Sequence, residues 1–184
     1  MKNLILALML LISALLVAQE KEEKYPQDIN KKHELKLNAF NLIVFSSIDV
    51  SYERLLNKDS SFGISVFYNF NNINNDLYYP KKFSITPYYR WFFTDTPFAR
   101  GFFVEGFGML NTYEEEIFFM GSTSQAENET DFALGVSVGG KFIIKSGFTA
   151  EVYLGVGRNL FLNDDNLIDN DLITRGGVSL GYRF

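Results

Sequence analysis

Nine charged residues recur at alternate positions inside otherwise apolar stretches of this chain: Lys36, Asp49, Glu53, Arg90, Glu105, Lys141, Glu151, Arg175 and Arg183. Carboxylates set among guanidinium and ammonium groups support two kinds of chemistry. In an open cleft they act as general acid and base. Packed together away from water they neutralise one another as structural ion pairs. Five cations against four anions is close to balance, which favours a paired internal network over a catalytic constellation. The rest of the chain adds little for catalysis. His33 is the only histidine, and it follows a polar, charge-dense stretch with nothing to hold it in place, so a His-based hydrolytic triad is not expected. The absence of cysteine removes thiol nucleophiles, thiolate zinc sites and disulfides. No catalytic residue, metal ligand or cofactor is assigned.

Two further groups stand out. Glu114, Glu115, Glu116, Glu127, Glu129 and Asp131 make one segment acidic, and Asp164, Asp165, Asp169 and Asp171 do the same for a second. Oxygen-rich loops can hold a hard cation, but the ordered spacing of a calcium loop is missing, so solvated acidic loops are expected. Between the first acids lies an apolar run, Ile117, Phe118, Phe119 and Met120. It is either a contact for a partner or a continuation of the flanking strands.

The elements that must position these residues follow from the chain's periodicity. Residues 1–18 read as a signal peptide: Lys2, then an uncharged Leu-rich run from Leu4 to Ala18 that is short for a spanning helix. Lys2 is the sole charge of that segment, so its removal makes the chain one unit more acidic than the −5 of the whole. That balance excludes a nucleic-acid partner. Residues 19–33 form a polar linker on the periplasmic side, and 34–184 a single β domain.

From Glu34 the dominant period is two. Eight strands are read at 34–41, 46–56, 61–70, 82–93, 101–112, 131–144, 147–158 and 171–184. In the last six, one face carries residues such as Phe62, Ile64, Val66, Trp91, Phe102, Val136 and Leu154, and no charge. The other mixes Gly, Ser, Thr, aromatic and charged residues. A soluble barrel would have to pack the bulky face inside eight strands, whose interior barely holds its own side chains. A soluble exported β-sandwich that binds a ligand is the alternative able to bury such a face. The inverted arrangement puts the apolar face against lipid and the small and charged residues in a narrow lumen. It fits best, because ten-residue strands suit a tilted crossing of the bilayer. The expected architecture is an all-β, eight-stranded antiparallel up-and-down transmembrane β-barrel.

Connection lengths and aromatic placement agree with it. Short turns are read at Asn57–Ser60, Thr94–Arg100 and Lys145–Ser146, and long outer loops at Asn71–Lys81, Tyr113–Thr130 and Asn159–Asn170. The first outer connection, Leu42–Phe45, breaks the alternation as a short apolar loop. Aromatic residues concentrate near strand ends, as in the interfacial girdles of outer-membrane barrels.

The chain ends on Phe184, with Tyr182 and Leu180 at the preceding alternate positions. This resembles the C-terminal strand signal of bacterial outer-membrane proteins that the barrel-assembly machinery reads. Most of the mature chain resembles the OmpA/OmpX-like eight-stranded barrels. The segment LKLNAFNLIVFSSIDVSYERLL, with Asn38, the apolar Leu42–Phe45 connection and Tyr52-Glu53, is similar to the opening hairpin of a family of small Gram-negative outer-membrane barrels without assigned activity. The resemblance implies the fold and an outer-membrane location; a non-enzymatic monomer is expected, because an eight-stranded lumen is filled and offers a substrate no access. Its partners would be membrane lipid, the assembly machinery, and an envelope protein or lipopolysaccharide at the outer loops. A lipid- or glycan-modifying enzyme of the outer membrane is the alternative in the same location.

Overall fold

In a computed structural model of the chain, residues 31–70, 81–93, 99–115, 118–119, 122–123, 127–144, 146–161 and 172–184 are described. Eight strands close into one antiparallel barrel: β1 (His33–Asn38), β2 (Ser47–Leu55), β3 (Ser60–Asn69), β4 (Lys81–Phe92), β5 (Gly101–Glu115), β8 (Glu127–Ile143), β9 (Phe148–Asn159) and β10 (Leu172–Arg183). Each pairs with its neighbour in the chain, and β1 closes the ring against β10 from Glu34 opposite Arg183 to Asn38 opposite Ser179. Closure leaves no free sheet edge along the paired stretches, the standard solution for a sheet in an apolar medium. It also removes the sandwich alternative.

The alternation of side chains matches the faces expected from the period. Along β3, residues alternate between buried and exposed from Ser61 to Asn69, with Phe62, Ile64, Val66 and Tyr68 outside. Leu154, Leu172 and Phe102 are 70%, 68% and 62% exposed. A water-soluble fold would not leave such residues bare on every strand.

Three local departures from the expected elements matter. The first connection is an α-helix rather than a loop: α1 (Ala39–Phe45) follows β1 directly, so the expected strand 34–41 stops at Asn38. The Asn38 side chain accepts a hydrogen bond from the Asn41 amide, and Ser46 closes the helix in a left-handed conformation. Ala39, Phe40, Leu42, Ile43, Val44 and Phe45 are apolar all round the helix, and the helix satisfies backbone groups of this segment internally. The third expected outer loop is largely sheet. β5 and β8 stay paired out to Glu115 opposite Glu127, followed by a two-residue pair, β6 (Phe118–Phe119) with β7 (Ser122–Thr123). Lys81, expected in a loop, starts β4 instead, and a register shift between Lys81 and Phe83 turns its side chain to the inside.

Candidate functional site

All nine charged residues singled out in the sequence are buried inside the barrel, and Glu34, Lys81 and Asp131 join them there. Six cations thus face six anions among the described residues. Strand register brings the pairs together. Glu34 lies opposite Arg183 on the β1–β10 ladder, Arg90 opposite Glu105 on β4–β5, and Lys141 opposite Glu151 on β8–β9. Such directly opposed positions on one face are the closest neighbours a sheet offers.

The pairs form layers along the barrel axis. Nearest the start of β1 and the end of β10, Arg183 meets Glu34 at 2.6 Å, and Lys141 meets the same carboxylate at 2.7 Å. In the middle layer Glu53 accepts from Lys36 at 2.5 Å, Lys141 at 2.6 Å and Arg90 at 3.0 Å. Glu151 takes Arg90 at 2.8 Å and Lys36 at 3.0 Å. Above it Arg90 reaches Glu105 at 2.6 Å, Glu105 also pairs with Arg175, and Ser137 donates to its second oxygen at 3.0 Å. Each of these carboxylates is shared by at least two donors, which repays the desolvation that an isolated buried charge would suffer.

Aromatic rings pack the space between layers, and glycines make room for them. Tyr88, Phe107 and Phe103 lie opposite Gly63, Gly135 and Gly139 on the adjoining strands. A Cβ at any of those three glycines would come within 2.6 Å of the facing ring. The Arg90 guanidinium is sandwiched between the Tyr88 and Phe103 rings, 4.6 and 4.2 Å from their centroids. Among the described residues, rings and ion pairs fill the middle of the lumen.

The opposite half of the interior is roomier. Asp49 is held by Asn38 and Asn41, at 3.2 and 3.0 Å, and by the Ser65 hydroxyl. Asn38 also donates to the Tyr153 hydroxyl and to the Gly176 carbonyl, each at 3.2 Å. A cavity of about 440 Å³ opens there. It is bounded by Asp49, Lys81 and Arg175 on the lumen side and by Phe40 and Phe45 of α1.

The remaining candidate residues fall elsewhere. His33 belongs to β1 rather than to the linker. Its ring stacks on Tyr52 and Phe184, and its Nδ1 lies 2.5 Å from the Tyr52 hydroxyl. Phe184 exchanges backbone hydrogen bonds with His33, at 3.1 and 2.8 Å. Tyr182 and Leu180 point outward on β10. Asp131, expected in an acidic loop, is buried on β8 and accepts from the Phe161 amide at 3.1 Å. Glu114, Glu115, Glu127 and Glu129 stand on the extended β5–β8 hairpin. Phe118 and Phe119 form β6, whereas Ile117 and Met120 lie outside the described residues, as do Glu116, Asp164, Asp165, Asp169 and Asp171.

Sequence parity was sufficient to find Glu34, two positions before Lys36 on the same face, but the charge inventory passed over it. Lys81 carried no such signal, because the irregularity beside it reverses the parity of β4.

The architecture has known counterparts. The N-terminal β-barrel domain of OprF from Pseudomonas aeruginosa superposes with a TM-score of 0.56 at 14% identity, covering 84% of this chain and 98% of that one. Neisserial surface protein A is similar at a TM-score of 0.45 and 13% identity, covering 83% and 94%. The OprF likeness is one of fold: a closed eight-stranded barrel of the outer-membrane type. No curated protein sequence matches the chain. Residues 5–170 match the family model described as protein of unknown function, DUF3575, and since that match spans most of its length, the chain belongs to this family.

Proposed function

We propose that this protein is a non-enzymatic barrel of the bacterial outer membrane that works through its outer end, contacting the envelope surface or a partner there. The observation that carries this reading is the ion network. Lys36, Arg90 and Lys141 bridge four carboxylates across the full width of the lumen, so the barrel is plugged rather than porous. The bare apolar belt would supply the lipid contact, and Phe184, hydrogen-bonded to His33 at the seam, would be read as the assembly signal. The lone histidine is stacked on Tyr52 and Phe184 at the end where β1 starts and β10 stops, the opposite end from the outer rim where a lipid- or glycan-modifying enzyme would work. The outward ends of the long hairpins then remain for recognition. The Ile117–Met120 run and the neighbouring acids would contact an envelope protein, or lipopolysaccharide through bridging cations.

Cell fractionation and planar bilayers test this together. The protein is expected in the outer-membrane fraction, to migrate faster unheated than boiled in detergent gels, and to give no porin-sized conductance. Recovery in the soluble periplasmic fraction, or open channels of porin size, overturns the reading.

A further inference from the structure

The barrel pairs the charges of its interior, but not those on its outward face at the end where β1 starts. There β1 is flanked by β2 and β10, with His33 opposite Arg54 and Leu35 opposite both Tyr52 and Tyr182. Arg54 is exposed, whereas its neighbours Glu53 and Leu55 are buried. No carboxylate engages Arg54 among the described residues. Glu34 and Glu53, the acids nearest to it along β1 and β2, face the lumen. Arg183 and Lys141 occupy the first, and Lys36, Lys141 and Arg90 the second. Among the described residues of this end, the only exposed side-chain carboxylate is Asp59, which pairs with Lys58 at 3.7 Å. The terminal carboxyl group of Phe184 accepts from the His33 amide at 3.1 Å.

A second cation stands on the other side of β1. The Lys31 ammonium lies 5.1 Å from the centre of the Tyr182 ring and donates to the Tyr182 hydroxyl at 3.4 Å. These contacts position the charge without neutralising it. Farther from the barrel end the outward face turns apolar, with Leu35, Leu37 and Leu180 exposed. Tyr52 and Tyr182 mark the boundary. Both lie opposite Leu35, and their hydroxyls turn to His33 and Lys31. Tyrosines placed in this way sit at head-group depth, and basic side chains at the edge of an apolar belt reach the same depth. The face therefore offers two cations without a carboxylate partner beside an apolar strip, and a phosphate carried on acyl chains complements both parts.

We propose that the outward face of β1, with the adjoining residues of β2 and β10, binds one anionic phospholipid. Arg54 and Lys31 hold the phosphate, and the acyl chains lie along Leu35, Leu37 and Leu180. This site rests on the reading of the apolar belt as lipid-facing, and adds that one lipid is held there by its head group. A zwitterionic lipid fits less well, because its own ammonium is brought up to two protein cations.

The test uses the full-length protein in a nonionic detergent, titrated with dioctanoylphosphatidylglycerol, dioctanoylphosphatidylcholine or dioctanoylglycerol. Native mass spectrometry counts the lipid retained. One phosphatidylglycerol per protein is expected, with the choline lipid and the phosphate-free diacylglycerol bound more weakly. Arg54→Gln and Lys31→Gln should each weaken phosphatidylglycerol about fivefold, as expected for one basic residue at an anionic lipid surface. Lys58→Gln, at the same end but paired with Asp59, should leave the affinity unchanged. None of these three side chains belongs to the buried network, and heat-modifiable migration checks that the variants fold. Inorganic phosphate is expected not to displace the lipid at equal concentration. The proposal is overturned if either control lipid binds as tightly as phosphatidylglycerol, or if inorganic phosphate displaces it. Unchanged affinity in both Arg54→Gln and Lys31→Gln, or an equal loss in Lys58→Gln, overturns it as well. Binding in detergent is read separately from cell fractionation, so failure of the lipid site and failure of the outer-membrane reading give different results.

Discussion

Replacing Glu53 by Gln keeps the side-chain volume and deletes one negative charge where Lys36, Lys141 and Arg90 converge, at 2.5, 2.6 and 3.0 Å. Glu53 is fully buried, so water does not replace the lost charge. The three cations are not orphaned equally. Lys141 keeps Glu34 at 2.7 Å, Lys36 keeps Glu151 at 3.0 Å, and Arg90 keeps both Glu105 and Glu151. One uncompensated positive charge is therefore spread over three groups. Removing one partner of a buried ion pair costs about 3–5 kcal/mol, and this sharing points to the lower end, about 3 kcal/mol. With a urea dependence of about 2 kcal/mol per M, the unfolding midpoint should fall by about 1.5 M. The measurement is a reversible urea titration of the protein folded in phosphatidylcholine vesicles, followed by Trp91 fluorescence and by gel mobility. Adding Lys36→Met to Glu53→Gln restores the charge balance and should recover at least half of the loss. Lys58→Gln, which breaks the exposed pair with Asp59 at 3.7 Å, should leave the midpoint where it was. A parental midpoint for Glu53→Gln, or further destabilisation on adding Lys36→Met, would refute the view that charge balance in the lumen holds the barrel together.

Other consequences are open to direct measurement. Trp91 is the only tryptophan and lies outward on β4, one residue from the strand's terminal end; brominated lipids should quench it, most strongly with bromine near the head groups, and a lack of quenching by any of them would contradict lipid contact. Gly139→Val drives a side chain into Phe103 and the Val152 carbonyl, whose nearest atoms lie 2.5 and 2.6 Å from a Cβ; a loss of about 1–3 kcal/mol is expected in the same urea assay, as for other overpacked interiors. Deleting Phe184 removes the hydrogen bonds to His33 and the ring stacked on it. It should lower the folded, heat-modifiable fraction in cells, whereas Phe184→Tyr, which keeps both, should not.

Much of the fold was legible along the chain because a strand writes its two environments at alternate positions. Where β3 and β9 run without interruption, the outward row of Phe62, Ile64 and Val66, or of Val152, Leu154 and Val156, identifies the outward face without any partner in view. The inward charges follow from the same parity. What parity cannot supply is which of them meet. That Lys141 of β8 serves Glu34 and Glu53 from the far side of the barrel depends on closure and on the register of all the intervening ladders.

The sequence by itself therefore determined the number of barrel strands and their faces, because these are properties of local period. Only the tertiary structure decided the rest. It converted an apolar run after Asn38 into a helix, since one asparagine side chain caps α1 while bonding Gly176 across the seam. It turned Lys81 inward through an irregularity in the β4–β5 ladder. It ended the β1–β10 ladder at Asn38 opposite Ser179, so that among the described residues no strand pairs with that side of β10 over residues 172–178. Each of these depends on segments far apart in the chain, brought together by barrel closure, and no local pattern of residues records them.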